Sequence, residues 1–242
     1  MGMNDLKKIL EEQRFEERMK KLMEHAISDD EAARIEELNR RVEAEENARY
    51  EAENGTPDVR RLVRAGFGRR EAEAVCHGNL KGDGWHAKLK RVLEIMDGKG
   101  IAVLAGDCGT GKTVMAAAIG KVWQERKRDV RYVRAADFFC GLKATWAKQS
   151  EVGEKDYLEE FREVSLLIVD EIQDRSAGDW ENMILNTLID HRYADMMPVL
   201  ILTNKVGNDA VATLPRSVAS RVEGTGSFVS LDWGSYRKGG AR

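Results

Sequence analysis

The residues with the most definite chemistry are Gly106-Asp107-Cys108-Gly109-Thr110-Gly111-Lys112-Thr113. They fit G-x-x-x-x-G-K-[ST] at every fixed position. Gly106, Gly109 and Gly111 allow backbone dihedrals closed to other residues and let the main chain come close to a ligand. The N–H groups of such a loop can converge on an anion. Lys112 is then expected to reach the β- and γ-phosphates of a nucleotide, and Thr113 to place its hydroxyl on Mg²⁺.

A second stretch complements the first. Leu166-Leu167-Ile168-Val169 runs into Asp170-Glu171. Four apolar residues ending in two acids read as a central strand with carboxylates at its C-terminal edge, where ligands sit in open α/β sheets. Asp170 is expected in the metal shell, and Glu171 is expected to polarise an attacking water.

Both stretches need a scaffold that brings them together. Ile101-Ala102-Val103-Leu104-Ala105 is a short apolar run, the pattern of a buried strand. The alanine-rich segment Val114 to Gln124 is helix-prone. Further strands are predicted at 130–133, 199–202 and 228–231. Helices are predicted between them: one from Phe138 to about Ala147 capped by Asp137, and a long one capped by Asp179. Residues 148–155 read as a polar surface loop. Strands alternating with helices from Gly100 onward predict an α/β fold with a parallel sheet covered on both faces.

The part before Gly100 is different. Residues 1–53 are dense in Glu, Lys and Arg and read as two helices. Phe15, Met19, Leu22, Met23 and Ala26 mark one apolar face, and Ile35, Leu38 and Val42 a thinner one. Ser28 and Glu31 have the spacing of a capping box between them. Stripes this narrow bury little alone, so the segment is either a solvated spacer or a docking element for a partner. Asn54-Gly55-Thr56-Pro57 marks a boundary. The expected domains are therefore a charged helical segment at 1–53, a linker with helices at 54–99, and a core at 100–242.

Composition narrows the class. With Lys and Arg numbering 39 against 42 Asp and Glu, no global field drives the chain onto nucleic acid. Any DNA contact must be local. Lys121, Arg126, Lys127, Arg128, Arg131 and Arg134 form such a cluster; it could track the phosphates of a single strand or be an ordinary solvated face. Cys76, Cys108 and Cys140 form no C-x-x-C pair and do not cluster with the histidines, which argues against a structural metal and for a reducing compartment. Nothing at the N-terminus resembles a signal peptide, and no stretch approaches the ~18 apolar residues of a membrane span. The expectation is a cytoplasmic protein without a membrane partner.

The ordered set of motifs resembles a known family. A phosphate loop, Leu166 to Glu171, then Leu202-Thr203-Asn204 and Ser220-Arg221, is similar to the AAA+ ATPases. Asn186-Thr187-Leu188-Ile189-Asp190-His191-Arg192 and the tail Leu231-Asp232-Trp233-Gly234-Ser235-Tyr236-Arg237 resemble the DnaC-type bacterial and phage helicase loaders, a group close to the IstB-type ATPases. The resemblance implies a P-loop AAA+ core with a five-stranded parallel sheet and no C-terminal helical lid. It implies Mg-dependent ATP hydrolysis, with ATP bound by Gly106 to Thr113. Asn204 falls on the sensor 1 position. Arg221 falls on the arginine-finger position, which acts on a neighbouring subunit; Arg216 is a second candidate. Arg237 matches a sensor 2-like contact, and Gly66-Phe67 matches a region near the adenine. The implied partners are the hexameric replicative helicase, docked through the N-terminal helices, and further copies of the chain. The alternatives are an IstB-type ATPase assisting a transposase and a nucleotide-gated adaptor with little hydrolysis. Cys108 departs from the family's usual small residue or proline.

Overall fold

The computed structural model describes residues 14, 16–17, 29–78, 80, 84–147 and 150–236. The predicted apolar face from Phe15 to Ala26 and the Ser28 side of the capping box lie outside the described residues, as does Arg237. The chain divides into two compact units, Met1–Asn54 and Gly55–Arg242.

The first unit contributes helix α1, Asp29–Asn54. Its charge pattern explains its persistence without a core: Glu36–Arg40, Glu37–Arg41 and Arg49–Glu53 are spaced four residues apart on exposed faces. Leu38 and Val42 of the predicted stripe are 61% and 45% exposed, so the turns that carry them bury no core of their own.

The second unit begins with α2 (Pro57–Arg64), α3 (Arg69–Cys76) and α4 (Trp85–Asp97). Thr56 caps α2, its Oγ1 accepting from the Val59 N–H, and Pro57 fills the first position, where no N–H is needed. The order continues with β1 (Ile101–Gly106), α5 (Lys112–Glu125), β2 (Val130–Arg134), α6 (Ala135–Ala144), α7 (Glu154–Glu163) and β3 (Leu166–Asp170). After a short 3₁₀ turn at Ile172–Asp174 come α8 (Asp179–Ala194), β4 (Val199–Thr203), α9 (Asn208–Ala212), α10 (Arg216–Thr225) and β5 (Ser227–Leu231). The five strands form one sheet in the order β2-β3-β4-β1-β5, and every pairing is parallel.

Side-chain alternation builds the layers. Ala102, Leu104, Leu166, Ile168, Leu200 and Leu202 face a cluster with Leu62, Val92, Met115 and Ile119 from α2, α4 and α5. Ile101, Val103, Leu167, Val169, Val199 and Ile201 face Phe138, Phe161, Leu188 and Val218 from α6, α7, α8 and α10. Both faces are thus apolar, which is why these strands read as unbroken hydrophobic runs. The helices of residues 57–97 share their cluster with β1 and α5. At Gly226 the chain passes so close to β1 that a Cβ there would lie 1.5 Å from the Ile101 carbonyl oxygen.

Four local expectations are corrected. Asp137 does not cap α6: β2 runs straight into the helix, Arg134 stands at the N-cap, and Asp137 lies in the first turn, 2.8 Å from the Arg134 Nε. A carboxylate there still favours the positive end of the helix. That helix closes at Ala144, short of Ala147. Asp179 is the first residue of α8, and Gly178 is the N-cap. Helix α7 occupies part of what reads as loop: residues 148–155 are polar, and the signal lies beyond them in Tyr157, Leu158 and Phe161, which turn onto the second cluster.

One buried cation fastens this region. Arg192 of α8 is fully buried and donates to the carbonyls of Phe161, Arg162 and Val164 at the end of α7 and of Pro198 before β4, all within 2.9 Å. Burial pulls its pKa down to about 10, against the opposing effect of Asp129, so it stays charged at neutral pH. Removing it strands several buried acceptors, each costing about 1–3 kcal/mol if left dry. Arg192→Met is expected to lower unfolding free energy by at least ~3 kcal/mol in urea denaturation; a loss under ~1 kcal/mol would show that these carbonyls have other partners.

Candidate functional site

The site lies at the C-terminal edge of the sheet. β1 ends at Gly106, β3 at Asp170 and β4 at Thr203, and β4 lies between the other two. The loop after β1 therefore faces the acids after β3, with Asn204 at the end of the strand between them. The parallel order carries three segments that are distant in sequence to one edge.

Two of the loop's three glycines have the expected backbone, and Gly106, the last residue of β1, does not. Gly109 and Gly111 sit at φ +85° and +87°, the left-handed region that glycine adopts without strain. Thr110 is fully buried and its Oγ1 donates to the Asp107 carbonyl at 2.8 Å. Lys112, at the start of α5, is buried; its Nζ donates to the carbonyls of Gly106 at 2.7 Å and Asp107 at 3.0 Å. The ammonium is thus already folded back over the loop.

Thr113 Oγ1 donates to Asp170 Oδ2 at 2.9 Å. Tyr132 of β2 donates its hydroxyl to the same oxygen at 2.8 Å, and the N–H of Glu171 reaches Oδ1 at 2.7 Å. Burial, then the Asp170 carboxylate, push the Tyr132 phenol far above its ordinary range, so it remains a donor. Glu171 sits at φ +52°, ψ +43°, uncommon for a residue with a Cβ. Partial burial, then the Asp170 and Asp174 carboxylates, raise its pKa above the ordinary carboxylate value.

Asn204 adjoins the loop. Its Nδ2 lies 3.8 Å from Cys108 Sγ, and its backbone N–H donates to Gln173 Oε1 at 3.2 Å. Cys108, Gly109, Gly111, Lys112, Thr113, Asp170, Glu171 and Asn204 all line one cavity of about 390 Å³. That volume lies within the range of small-ligand sites.

Other sequence candidates lie elsewhere. Arg221 of α10 is 2.9 Å from Asp190 of α8, donates to the Ser217 carbonyl and stands over the Tyr193 ring, outside the cavity lining. Arg216 is exposed in the first turn of the same helix. Phe67 is buried, stacked on Tyr132 with centroids 4.5 Å apart, and neither it nor Gly66 lines the cavity. Arg70, Glu71, Ala74, Leu80 and Trp85 take that side. In the basic cluster, Lys121 faces Glu125 and Asp58, Arg126 faces Asp97, Arg131 faces Glu160 and Arg134 faces Asp137. Lys127 and Arg128, with Arg61 and Arg64, line a shallow depression.

Sequence reasoning missed Tyr132, Gln173 and the aromatic side of the cavity. Tyr132 carried no local signal: it stands among Arg131, Val133 and Arg134, and its role comes from the pairing of its strand with the acid-bearing one.

The residues fit a nucleoside triphosphate with its metal. Two glycines hold the left-handed turns of an anion nest, and a buried ammonium sits at the loop. A hydroxyl and a carboxylate, both metal-ligating oxygens, are already in contact. Gln173 Nε2 is a buried donor without a hydrogen-bond partner among the described residues, and Gln173 lines the same cavity.

The family of IstB-like ATP binding proteins matches residues 86–215. The chain belongs to this family. Its fold is of the AAA+ type. The replicative helicase loader DnaC of Escherichia coli (strain K12) is 30% identical over 153 residues, 62% of this chain and 62% of that protein. The uncharacterized protein YdaV of the same strain is 34% identical over 146 residues, 60% of this chain and 58% of the relative. The matched region thus spans about three fifths of these relatives' length. Among solved structures, a DnaC helicase loader superposes with TM-score 0.55 at 16% identity, covering 67% of this chain and 99% of that one. AMPPCP-bound DnaA from Aquifex aeolicus superposes with TM-score 0.54 at 22% identity, covering 63% and 48%. At these identities the superpositions speak for the fold alone.

The loop geometry generates a direct test. Lys112→Ala removes the buried ammonium, and ATP affinity measured by calorimetry is expected to fall at least ~10-fold, the value of a charge-assisted hydrogen bond. An unchanged Kd would exclude Lys112 from the phosphate site.

Proposed function

We propose that the chain is an ATP-dependent loader of the replicative DNA helicase. The observation that carries the chemistry is the contact between Thr113 and Asp170, which brings the loop and the acid pair onto one cavity. The client is argued from the similarity to a replicative helicase loader over the region that holds this site.

In this reading Gly106 to Thr113 hold the triphosphate of ATP, with Lys112 at its β- and γ-phosphates. Thr113 and Asp170 hold Mg²⁺. When bound, the metal neutralises phosphate charge and polarises the transferred group. Tyr132 keeps the Asp170 carboxylate aimed at Thr113. Glu171 takes the proton of the attacking water, and its raised pKa makes it a better base than an ordinary carboxylate. Asn204 orients the same water from the end of β4. Arg221, or Arg216 beside it, is the finger that reaches a neighbouring subunit's site and stabilises transition-state charge. Arg237 is the sensor 2-like contact. Self-assembly around the nucleotide follows from that trans role, and hydrolysis then acts as the release switch.

The helical segment 1–53 docks the helicase, residues 54–99 are the linker and helices that precede the core, and residues 100–242 carry the ATPase. DNA is met in the client's company. Most of the sequence's basic cluster is neutralised by carboxylates, and Arg61 beside it pairs with Asp58, so a direct backbone contact falls to Arg64, Lys127 and Arg128.

Two experiments test the reading. Glu171→Gln is expected to keep ATP affinity within twofold while turnover falls by ~100-fold or more. In the unmodified protein, turnover falls on acidification because the base works deprotonated, and the fall begins above pH 4.5 because the folded environment raises its pKa. Unchanged hydrolysis in the variant removes Glu171 as the base and points to a nucleotide-gated adaptor. Separately, the full chain used as bait is expected to capture the replicative helicase, and the chain lacking residues 1–53 to lose it. Capture of a transposase instead would move the assignment to an ATPase serving transposition.

A further inference from the structure

The segment after β5 runs along the back of the phosphate loop. β5 pairs with β1 so that Leu231 stands opposite Gly106, the first residue of the loop. The chain therefore leaves the sheet beside the point where the loop begins. Two donors from this segment then bond to the loop's main chain. Trp233 Nε1 reaches the Thr110 carbonyl at 3.0 Å, and the N–H of Tyr236 reaches the Gly109 carbonyl at 2.9 Å. The Trp233 ring is anchored against the first core cluster. The Tyr236 ring lies 3.6 Å from where a Gly111 Cβ would stand, is 42% exposed, and lines the cavity.

Peptide planarity gives these bonds a consequence. In a trans peptide the C=O of one residue and the N–H of the next point in opposite directions. Holding the Thr110 carbonyl from one side therefore fixes the Gly111 N–H toward the other, and Gly111 lines the cavity. Glycine at φ +87° has little intrinsic preference to keep that peptide from turning over. An external donor is what selects the orientation that a phosphate needs.

We propose that Trp233 and Tyr236 form a strap that completes the nucleotide site: Trp233 is a positioning residue that holds the anion-binding shape of the loop, and the Tyr236 ring is a wall against which the nucleotide lies. The proposal rests on the reading of this cavity as the ATP site. The strap acts on binding, because its bonds reach the loop and not Asp170 or Glu171.

The test is an ATP titration and steady-state kinetics with magnesium on the full chain. Trp233→Phe removes the indole N–H and keeps an aromatic ring. It is expected to weaken ATP binding about fivefold, the worth of one hydrogen bond, with a matching rise in KM. At saturating ATP, kcat stays within twofold, a split that general loosening of the fold does not produce. Tyr236→Ala, at an exposed position that leaves folding intact, is expected to weaken binding about tenfold through the lost ring contact. Wild-type ATP binding together with wild-type affinity in both variants overturns the strap alone. Failure of the unmodified chain to bind ATP overturns the nucleotide reading and the strap with it.

Discussion

A single carboxylate joins the parts of this molecule. Asp170 accepts from Thr113 on the helix after the loop, from Tyr132 on the neighbouring strand and from the N–H of Glu171 in its own turn. It is 3% exposed, so these bonds form where competing water is scarce. A buried carboxylate without donors is costly, and each donor comes from a different segment. The geometry of the loop, the edge of the sheet and the turn that carries Glu171 is therefore one geometry, set at one side chain.

The rest of the fold exists to place that side chain. Five parallel strands with apolar residues on both faces need helices on both sides, and the chain supplies them in alternation. Arg192 is the complementary device away from the site. It carries a positive charge into the interior to satisfy the carbonyls left where α7 ends and β4 begins. In the sequence it sits within a motif that suggests function, and the structure gives it a structural duty.

Much of this was legible beforehand, for a physical reason. Buried parallel strands are continuous apolar runs, and a phosphate loop is constrained residue by residue, so the five strands, Gly106 to Thr113 and Asp170-Glu171 could be read directly. What escaped depends on neighbours in space. Tyr132 gains its role from the register of β2 on β3, which no local pattern encodes. The family resemblance put Gly66-Phe67 near the adenine, yet neither lines the cavity: Phe67 stacks on Tyr132, and a Cβ at Gly66 would lie 2.2 Å from the Tyr132 carbonyl oxygen. Helix α7 was hidden by polar residues that face solvent, and the basic cluster looked more positive than it is because several of its carboxylate partners, Asp58, Asp97 and Glu160, are remote in sequence.

Glu171 carries an implication for how this chain can change. Its backbone lies in a conformation that glycine adopts freely and other residues adopt at a cost of order 1 kcal/mol. Exchange for glycine relaxes the turn and removes the carboxylate. At this position the backbone and the proposed role in water activation favour different residues, so drift under weak selection leads toward a sturdier protein without the proposed base.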